Sequence, residues 1–571
     1  MYERMIMEKK AAGNEVRMGR TVAIGIQSFE QIIENDVFYV DKTNFIREWW
    51  ESKDSVTLIA RPRRFGKTLN MSMLEQFFSL EYADRGELFE GLSIWEDAKY
   101  RKLQGTYPVI SLSFARVKET NYASAKEKIC EILTNLYSHY SFLRDSEALT
   151  DKDREYFDRV SSKMEDSDAT SALYQLSGFL YRYYGKKVII LLDEYDTPIQ
   201  EAYVDGFWDE LTSFIRSLFN STFKTNPYVE RAMMTGITRV SKESILSDLN
   251  NLKVVTTTSD EYATSFGFTE EEVFAAMDEM GMTEKEKVKK WYDGFVFGKV
   301  RDIYNPWSII NLLDTGKFST YWANTSSNSL VSRLIRQGSR RIKEQFETLM
   351  QGGCINTEID EQIVYNLLDD NEEAIWSLLL ASGYLKVLQV NMEEECYQLT
   401  LTNYEVKRMF RNMIRGWFKK DSSNYNDFIQ ALLLDDVDAM NEYMNRVTRS
   451  VFSSFDTGKR PSSAEPERFY HGFVLGLMME LQDRYIITSN RESGFGRYDV
   501  ILYPRKDDDA IIMEFKVFNK RREKNLEDTL ASALRQIEEK QYAQTLIDQG
   551  IASERIRKYG FAFEGKEVLI G

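Results

Sequence analysis

The sequence predicts an α/β protein whose N-terminal part is built on a parallel sheet. Three observations predict it. From about Thr21 to Tyr262, continuous apolar, β-branched bursts alternate with helical stretches, the pattern of buried parallel strands joined by crossover helices. One burst, "SVTLIA", runs into a basic loop that ends Gly66-Lys67-Thr68 and opens a helix. Another, "KVIILLDEYD", ends in adjacent acids, Asp193 and Glu194.

The elements follow in order. Four bursts set the strands: Ser55–Ala60, Pro108–Phe114, Lys187–Asp193 and Glu230–Gly236. "TLNMSMLEQFFS", after the basic loop, reads as an amphipathic helix. From about Glu270 to Phe455 the pattern is mostly helical, interrupted by "YLKVLQV" and "CYQLTLT", which read as a hairpin. "DTGKRPSSAEP" is loop-like. After it come a helix from Glu467 to about Arg484, the strands "YDVILYP" and "AIIMEFKV", and a last helix from about Asn525 to Ile547. The expected division is a tail (1–20), an α/β part (21–265), a helical middle (266–455) and a small α/β part (456–571), in keeping with a chain of 571 residues.

Composition bounds the function. Hydrophobic residues make up 43% and charged residues 29%, as in ordinary globular proteins. A net charge of −16 argues against nucleic-acid binding by the whole surface but leaves a local groove open. No apolar run approaches the ~20 residues of a membrane span, and the start has no signal-peptide core. Cys130, Cys354 and Cys396 have no paired spacing, so a reducing cytoplasm is expected. His139 and His471 are too few for a His-rich metal site.

Strand, GKT loop and helix are the context a phosphate-binding loop requires. Successive backbone N–H groups and the helix N-terminus then face an anion. Lys67 would reach the β- and γ-phosphates of ATP and Thr68 would hold Mg²⁺, with Arg63, Arg64, Phe65, Gly66 and Leu69 completing the loop. The first glycine of the usual G-x-x-x-x-G-K-[ST] pattern is replaced by Arg61. Asp193 would hold Mg²⁺ from its strand tip, and Glu194 would polarise the attacking water. "VISLSF" intervenes between the two motifs, as in the ATPase branch that inserts a strand there. The next strand ends "MMTGITRVSKES": Thr235 is placed to sense the γ-phosphate and Arg239 to contact phosphate in cis or from a neighbour. Asp196 reads as local structure.

These stretches, with "IGIQSFEQIIENDVFYVDKTNFI", "WYDGFVFG", "IYNPWSI" and "YWANTSSN", resemble the bacterial AAA-ATPase-like family, whose members usually carry a C-terminal nuclease-like domain of the PD-(D/E)XK superfamily. In that family the loop reads RPRRFGKT, so the resemblance makes Arg61 a family trait. It implies a P-loop ATPase of the strand-inserting (ASCE) class and a restriction-endonuclease-like α/β domain. Asp41, Lys42 and Thr43 match a family motif and are expected to pack near the nucleotide base.

The second constellation lies in "GFGRYDVILYP" and "DAIIMEFKV". Asp499 begins one strand, while Glu514 and Lys516 share a face of the next. Glu467 adds a third carboxylate. The acids would hold Mg²⁺, and the lysine would activate water against a phosphodiester. Gln536 and Tyr542, expected on one helix, resemble a motif of the nuclease superfamily. From Arg491 to Gly571, fifteen Lys and Arg face fifteen Asp and Glu, so this part has no broad positive field for phosphates. The expectation is an ATP- and Mg²⁺-dependent enzyme coupled to a nuclease acting on DNA more than RNA, with defence or mobile-element biology implied by analogy. The alternative is a switch-type signalling or scaffold ATPase whose C-terminal fold binds without cutting. No membrane partner is expected, and a homo-oligomer stays open, since Arg239 or a loop arginine would suit a neighbouring subunit.

Overall fold

The computed structural model describes residues 20–238, 246, 249–323, 329–337, 339–360, 371, 373–391, 396–417, 425–452, 474, 478, 481, 484–489, 492–493, 496–497, 500–506, 508–520, 522–564 and 567–571. The chain divides into two compact units, Met1–Arg408 and Met409–Gly571. The expected boundary at 265/266 falls inside the first.

The first unit contains a five-stranded sheet: β1 (Val56–Ala60), β2 (Val109–Ser113), β3 (Val188–Asp193), β4 (Val229–Gly236) and β5 (Leu252–Val255), ordered β2-β3-β4-β1-β5. All neighbours run parallel. The four apolar bursts are β1 to β4. Every residue of β3 is buried, which is why it reads as an unbroken apolar run. Leu58, Ile110, Leu112, Ile190, Leu192 and Met234 from the sheet share a core with residues such as Ile129, Leu173 and Leu218 from the helices Tyr122–His139, Asp166–Tyr184 and Trp208–Phe223. Each fully buried Leu or Ile contributes ~1.5–3 kcal/mol, so tertiary packing rather than helix propensity holds these layers.

The strand order positions the site. β2, which intervenes in sequence, lies at the sheet edge; the strand between β1 and β3 in space is β4. Ala60 pairs with Gly236, Ile59 with Thr235, Leu192 with Met234 and Ser113 with Asp193. The C-terminal tips of β1, β3 and β4 therefore lie side by side.

The helix Lys67–Phe78 is not amphipathic as expected. Asn70, Met71, Met73, Leu74, Gln76, Phe77 and Phe78 are all buried, because the helix Phe29–Glu34 lies against it: Phe29 N–H donates to Ser72 Oγ (3.1 Å) and Glu30 N–H to Gln76 Oε1 (2.8 Å). The Asp41-Lys42-Thr43 segment is tied to remote parts of the chain. Asp41 accepts from Thr43 N–H (2.8 Å) and Ser93 N–H (2.7 Å). Lys42 Nζ donates to Glu272 (2.7 Å) and to the Thr264 carbonyl (2.8 Å).

The rest of this unit mixes helices with two small sheets. One comprises β6 (Phe268–Thr269), β7 (Phe295–Phe297) and β8 (Val300–Tyr304); the other comprises β9 (Ile355–Glu358), β10 (Leu385–Asn391) and β11 (Cys396–Leu401). The expected hairpin is β10 with β11, antiparallel.

In the second unit, β12 (Tyr485–Ser489) is followed by a two-stranded ribbon, β13 (Glu492–Ser493) with β14 (Gly496–Arg497). Then come β15 (Val500–Pro504), β16 (Ala510–Val517), β17 (Ile556–Glu564) and β18 (Glu567–Ile570), in a sheet ordered β12-β15-β16-β17-β18. β16 and β17 are parallel, with the helix Leu526–Glu539 between them in sequence. The last helix is shorter than expected. It stops at Glu539, Gln541 takes a left-handed φ of 54°, and a short helix resumes at Gln544–Asp548. Most of the helix expected from Glu467 to Arg484 lies outside the described residues; Val474, Met478 and Leu481 are buried.

Candidate functional site

At the tips of β1, β3 and β4 the two N-terminal motifs meet, although 125 residues separate Thr68 from Asp193. Thr68 Oγ1 donates to Asp193 Oδ2 at 2.7 Å. Thr235, at the tip of β4, donates to Asp193 Oδ1 and accepts the Glu194 N–H at 3.2 Å. Burial raises the Asp193 carboxyl above its ordinary value, against the pull of the two hydroxyls. Glu194 occupies the left-handed region at φ 52°, a conformation that costs a non-glycine residue ~1–2 kcal/mol and that collects at functional sites. Its carboxylate accepts from Thr197 Oγ1 at 3.1 Å.

Lys67 opens the helix, and Gly66 before it has φ 81°, a turn glycine takes without strain. The Lys67 side chain is buried, and its Nζ donates to the carbonyls of Arg61 (2.8 Å) and Pro62 (2.7 Å). Burial pushes the ammonium down to about 8, opposed by the charges of Glu194, Asp193 and Asp196. Asp196 is structural: it accepts from Ile237 N–H (2.8 Å) and Thr238 N–H (3.0 Å) and so ties the loop after β3 to the end of β4. Gly236 is required beside it, since a Cβ there would lie 2.8 Å from the Asp196 carboxylate.

The loop arginines take three different directions. Arg61 is fully buried and faces neither phosphate nor partner: its guanidinium donates to the carbonyls of Thr256 and Glu261 and lies over the Phe297 ring at 4.4 Å. Arg63 donates to Gln200 Oε1 at 3.1 Å and lowers the Lys67 pKa by its charge. Arg64 is exposed and lies 4.4 Å above the Trp307 ring. Phe65 turns its ring into a cluster with Phe295 (4.8 Å) and Phe297 (5.3 Å), so any part it takes in nucleotide binding falls to its main chain. Leu69 is half-buried in the first helical turn. Arg239 lies outside the described residues.

In the second unit, Glu514 and Lys516 share a face of β16 as their spacing predicts. Gln536 bridges them: its Nε2 donates to Glu514 Oε1, and its Oε1 accepts from Lys516 Nζ at 2.7 Å. The same Nε2 lies 3.0 Å from the Tyr542 hydroxyl. Tyr542 is not on the helix. Six residues along a continuous helix point to different sides; the break at Lys540 returns the tyrosine to Gln536. Glu514 is buried and Lys516 half-buried. Glu467 and Asp499 lie outside the described residues; Val500, next to Asp499, pairs with Met513, next to Glu514.

Two family matches fall on these two places. Residues 23–246 match the AAA-ATPase-like family, described as a predicted AAA-ATPase, and residues 465–571 match the PD-(D/E)XK nuclease superfamily. The chain joins a predicted AAA-ATPase domain to a PD-(D/E)XK nuclease superfamily domain. The AAA-ATPase match spans the GKT loop, Asp193, Glu194, Thr235 and Arg239; the nuclease-superfamily match spans Glu467, Asp499, Glu514 and Lys516. The "Uncharacterized protein in vnfD 5'region" of Azotobacter chroococcum mcd 1 is 27% identical over 394 residues, 68% of each chain. A solved structure, the Aeropyrum pernix ORC2 protein in ADPNP-ADP complexes, is 10% identical and covers 70% of this chain and 97% of that one, with a TM-score of 0.22. No helix among the described residues is long and apolar enough to cross a membrane.

The AAA-ATPase domain also uses residues that sequence reasoning missed. Thr197 and Gln200, both from the helix Thr197–Asp205, hold Glu194 and Arg63. Only their closeness to "LLDEYD" could have flagged them. Asn305 and Trp322 sit within quoted family stretches, yet nothing local announces that both donate to the Arg63 carbonyl, at 3.3 and 2.9 Å.

Proposed function

We propose that the N-terminal part (21–265) binds and hydrolyses ATP and that it controls a Mg²⁺-dependent nuclease in the C-terminal part (456–571), through the middle region (266–455). The observation that carries the ATPase reading is the grip of Thr68 and Thr235 on the Asp193 carboxylate. It sets a hydroxyl and a buried carboxylate beside the ammonium of Lys67.

The donor set fits Mg²⁺, a hard cation that takes oxygen ligands. Thr68 and Asp193 would hold it, and a cation there would offset the cost of burying Asp193. Bound Mg²⁺ neutralises phosphate charge and orients the triphosphate. Lys67 would exchange its two carbonyl partners for β- and γ-phosphate oxygens. Glu194, held by Thr197, orients and polarises the attacking water, and Thr235 reports the γ-phosphate through its contacts with Asp193 and the Glu194 amide. Arg63 adds a positive charge close to Lys67.

In the C-terminal part, Glu514, with Asp499 and Glu467, would hold Mg²⁺, and Lys516 would face the scissile phosphate. The Gln536 bridge supports this reading because it fixes the acid and the lysine on one face. The substrate is nucleic acid, DNA more than RNA, and the setting is defence or mobile-element biology in the cytoplasm. The test uses the purified full chain with Mg²⁺. ATP turnover lost in Lys67→Ala and DNA cleavage lost in Glu514→Ala support the reading. ATP turnover without cleavage of DNA or RNA under any nucleotide condition favours the scaffold alternative.

A further inference from the structure

The phosphate-binding loop lacks its first glycine and is held from outside. Along it, the Pro62 ring meets Gly383, where an added Cβ would lie 2.9 Å from the ring. The Phe65 ring sits between Phe295 and Phe297. Arg64 takes a left-handed φ of 65°, which costs a side-chain-bearing residue ~1–2 kcal/mol and persists only where the surroundings enforce it. Asn305 Nδ2 (3.3 Å) and Trp322 Nε1 (2.9 Å) both donate to the carbonyl of Arg63, the residue just before it.

A trans peptide points its C=O and N–H in opposite directions. Two donors on the Arg63 carbonyl therefore turn the Arg64 N–H away from Asn305 and Trp322. Loops that bind phosphate need such N–H groups fixed in advance. The two donors are themselves rigid. Asn305 is fully buried, and its Oδ1 caps the helix Pro306–Thr315 by accepting Ser308 N–H at 3.2 Å. Trp322 is buried against Phe295 and Tyr384. Glu405 fastens both neighbourhoods, accepting from Ser308 Oγ (2.7 Å) and Trp322 N–H (2.8 Å).

We propose that Asn305 and Trp322 are positioning residues of the nucleotide site, holding the Arg63 carbonyl so that the Arg64 N–H is presented to the phosphates. The proposal rests on the ATP reading above. It gives the middle region a direct hold on the loop and so a route by which nucleotide binding is felt beyond the sheet. Side-chain anchors from a distant part of the chain thus hold Arg64 in a left-handed turn that a glycine would adopt without strain.

The test is ATP binding, with Mg²⁺, to the full chain and four variants. Trp322→Phe keeps the ring and removes the N–H. Asn305→Asp keeps the helix-capping oxygen and replaces the donor by an acceptor. Each is expected to raise the Kd for ATP about tenfold, the double variant more, while the single-turnover rate of bound ATP stays within about twofold. A purely structural role would lower the melting temperature and leave Kd unchanged, which overturns the proposal. Lys67→Ala separates the two readings. If it binds like wild type, or wild type binds no ATP, the nucleotide reading fails and takes this one with it. If it abolishes binding while Trp322→Phe and Asn305→Asp bind like wild type, the positioning role alone fails. Should one single variant not fold, the other decides.

Discussion

If Lys67 meets the phosphates as proposed, its proton should report the contact. Burial pushes its ammonium from 10.5 down to about 8, with only two loop carbonyls and nearby acids in support. At pH 8.5 about three-quarters of the free protein would therefore hold Lys67 neutral. Bound phosphates favour the charged form. ATP binding at pH 8.5 is expected to take up ~0.8 proton; at pH 6.5, where Lys67 is already charged, the uptake from this residue vanishes. By the same linkage, affinity falls roughly tenfold per pH unit well above about 8. Titration calorimetry in two buffers of different ionisation enthalpy measures the uptake. Lys67→Met, similar in length and uncharged, should lose it together with most of the affinity. Binding at pH 8.5 without proton uptake, or equal uptake in Lys67→Met, would refute the reasoning.

Three further expectations concern other residues. Glu194→Gln should still bind ATP with Mg²⁺ but hydrolyse it at least ~100-fold more slowly; undiminished turnover would assign the water to another group. Asp196→Ala leaves the Ile237 and Thr238 amides without their acceptor and should cost ~2–4 kcal/mol of stability in urea unfolding, a loss below half a kcal/mol arguing against its structural role. Burial raises the Glu405 carboxyl from 4.5 to about 7. The folded protein then keeps a proton that the unfolded chain has lost, so the contribution of Glu405 to stability is fully present below about pH 4.5 and falls by up to ~3 kcal/mol as pH rises to about 7. Glu405→Gln should remove that fall, and an identical pH profile in both proteins would contradict it.

The sheet was legible because its strands are buried on both faces and leave unbroken apolar runs; β3 is the plainest case. The GKT loop and the Asp193-Glu194 pair were legible because each is a local pattern whose strand context is also local. What escaped was tertiary. β5 has four residues, only one of them fully buried, too little for a pattern. The break after Glu539 turns on Gln541 in a left-handed conformation, which no glycine marks. Arg61 looks exposed on chemistry alone, yet main-chain carbonyls more than 190 residues away cover it. Asn305 and Trp322 lie 242 and 259 residues from the carbonyl they hold, and only the folded chain brings them there. The partners of the Asp41-Lys42-Thr43 segment, Ser93 and Glu272, are likewise remote in sequence.

The central claim is that Lys67, Thr68, Asp193 and Glu194 grip a magnesium-bound triphosphate at neighbouring strand tips. A crystal structure of the full chain with Mg²⁺ and a non-hydrolysable ATP analogue tests it most directly. The expected result has Lys67 released from the Arg61 and Pro62 carbonyls onto the phosphates, with Thr68 and Asp193 sharing the metal. A triphosphate bound elsewhere, with Lys67 still on both carbonyls and Thr68 still on Asp193, would contradict it.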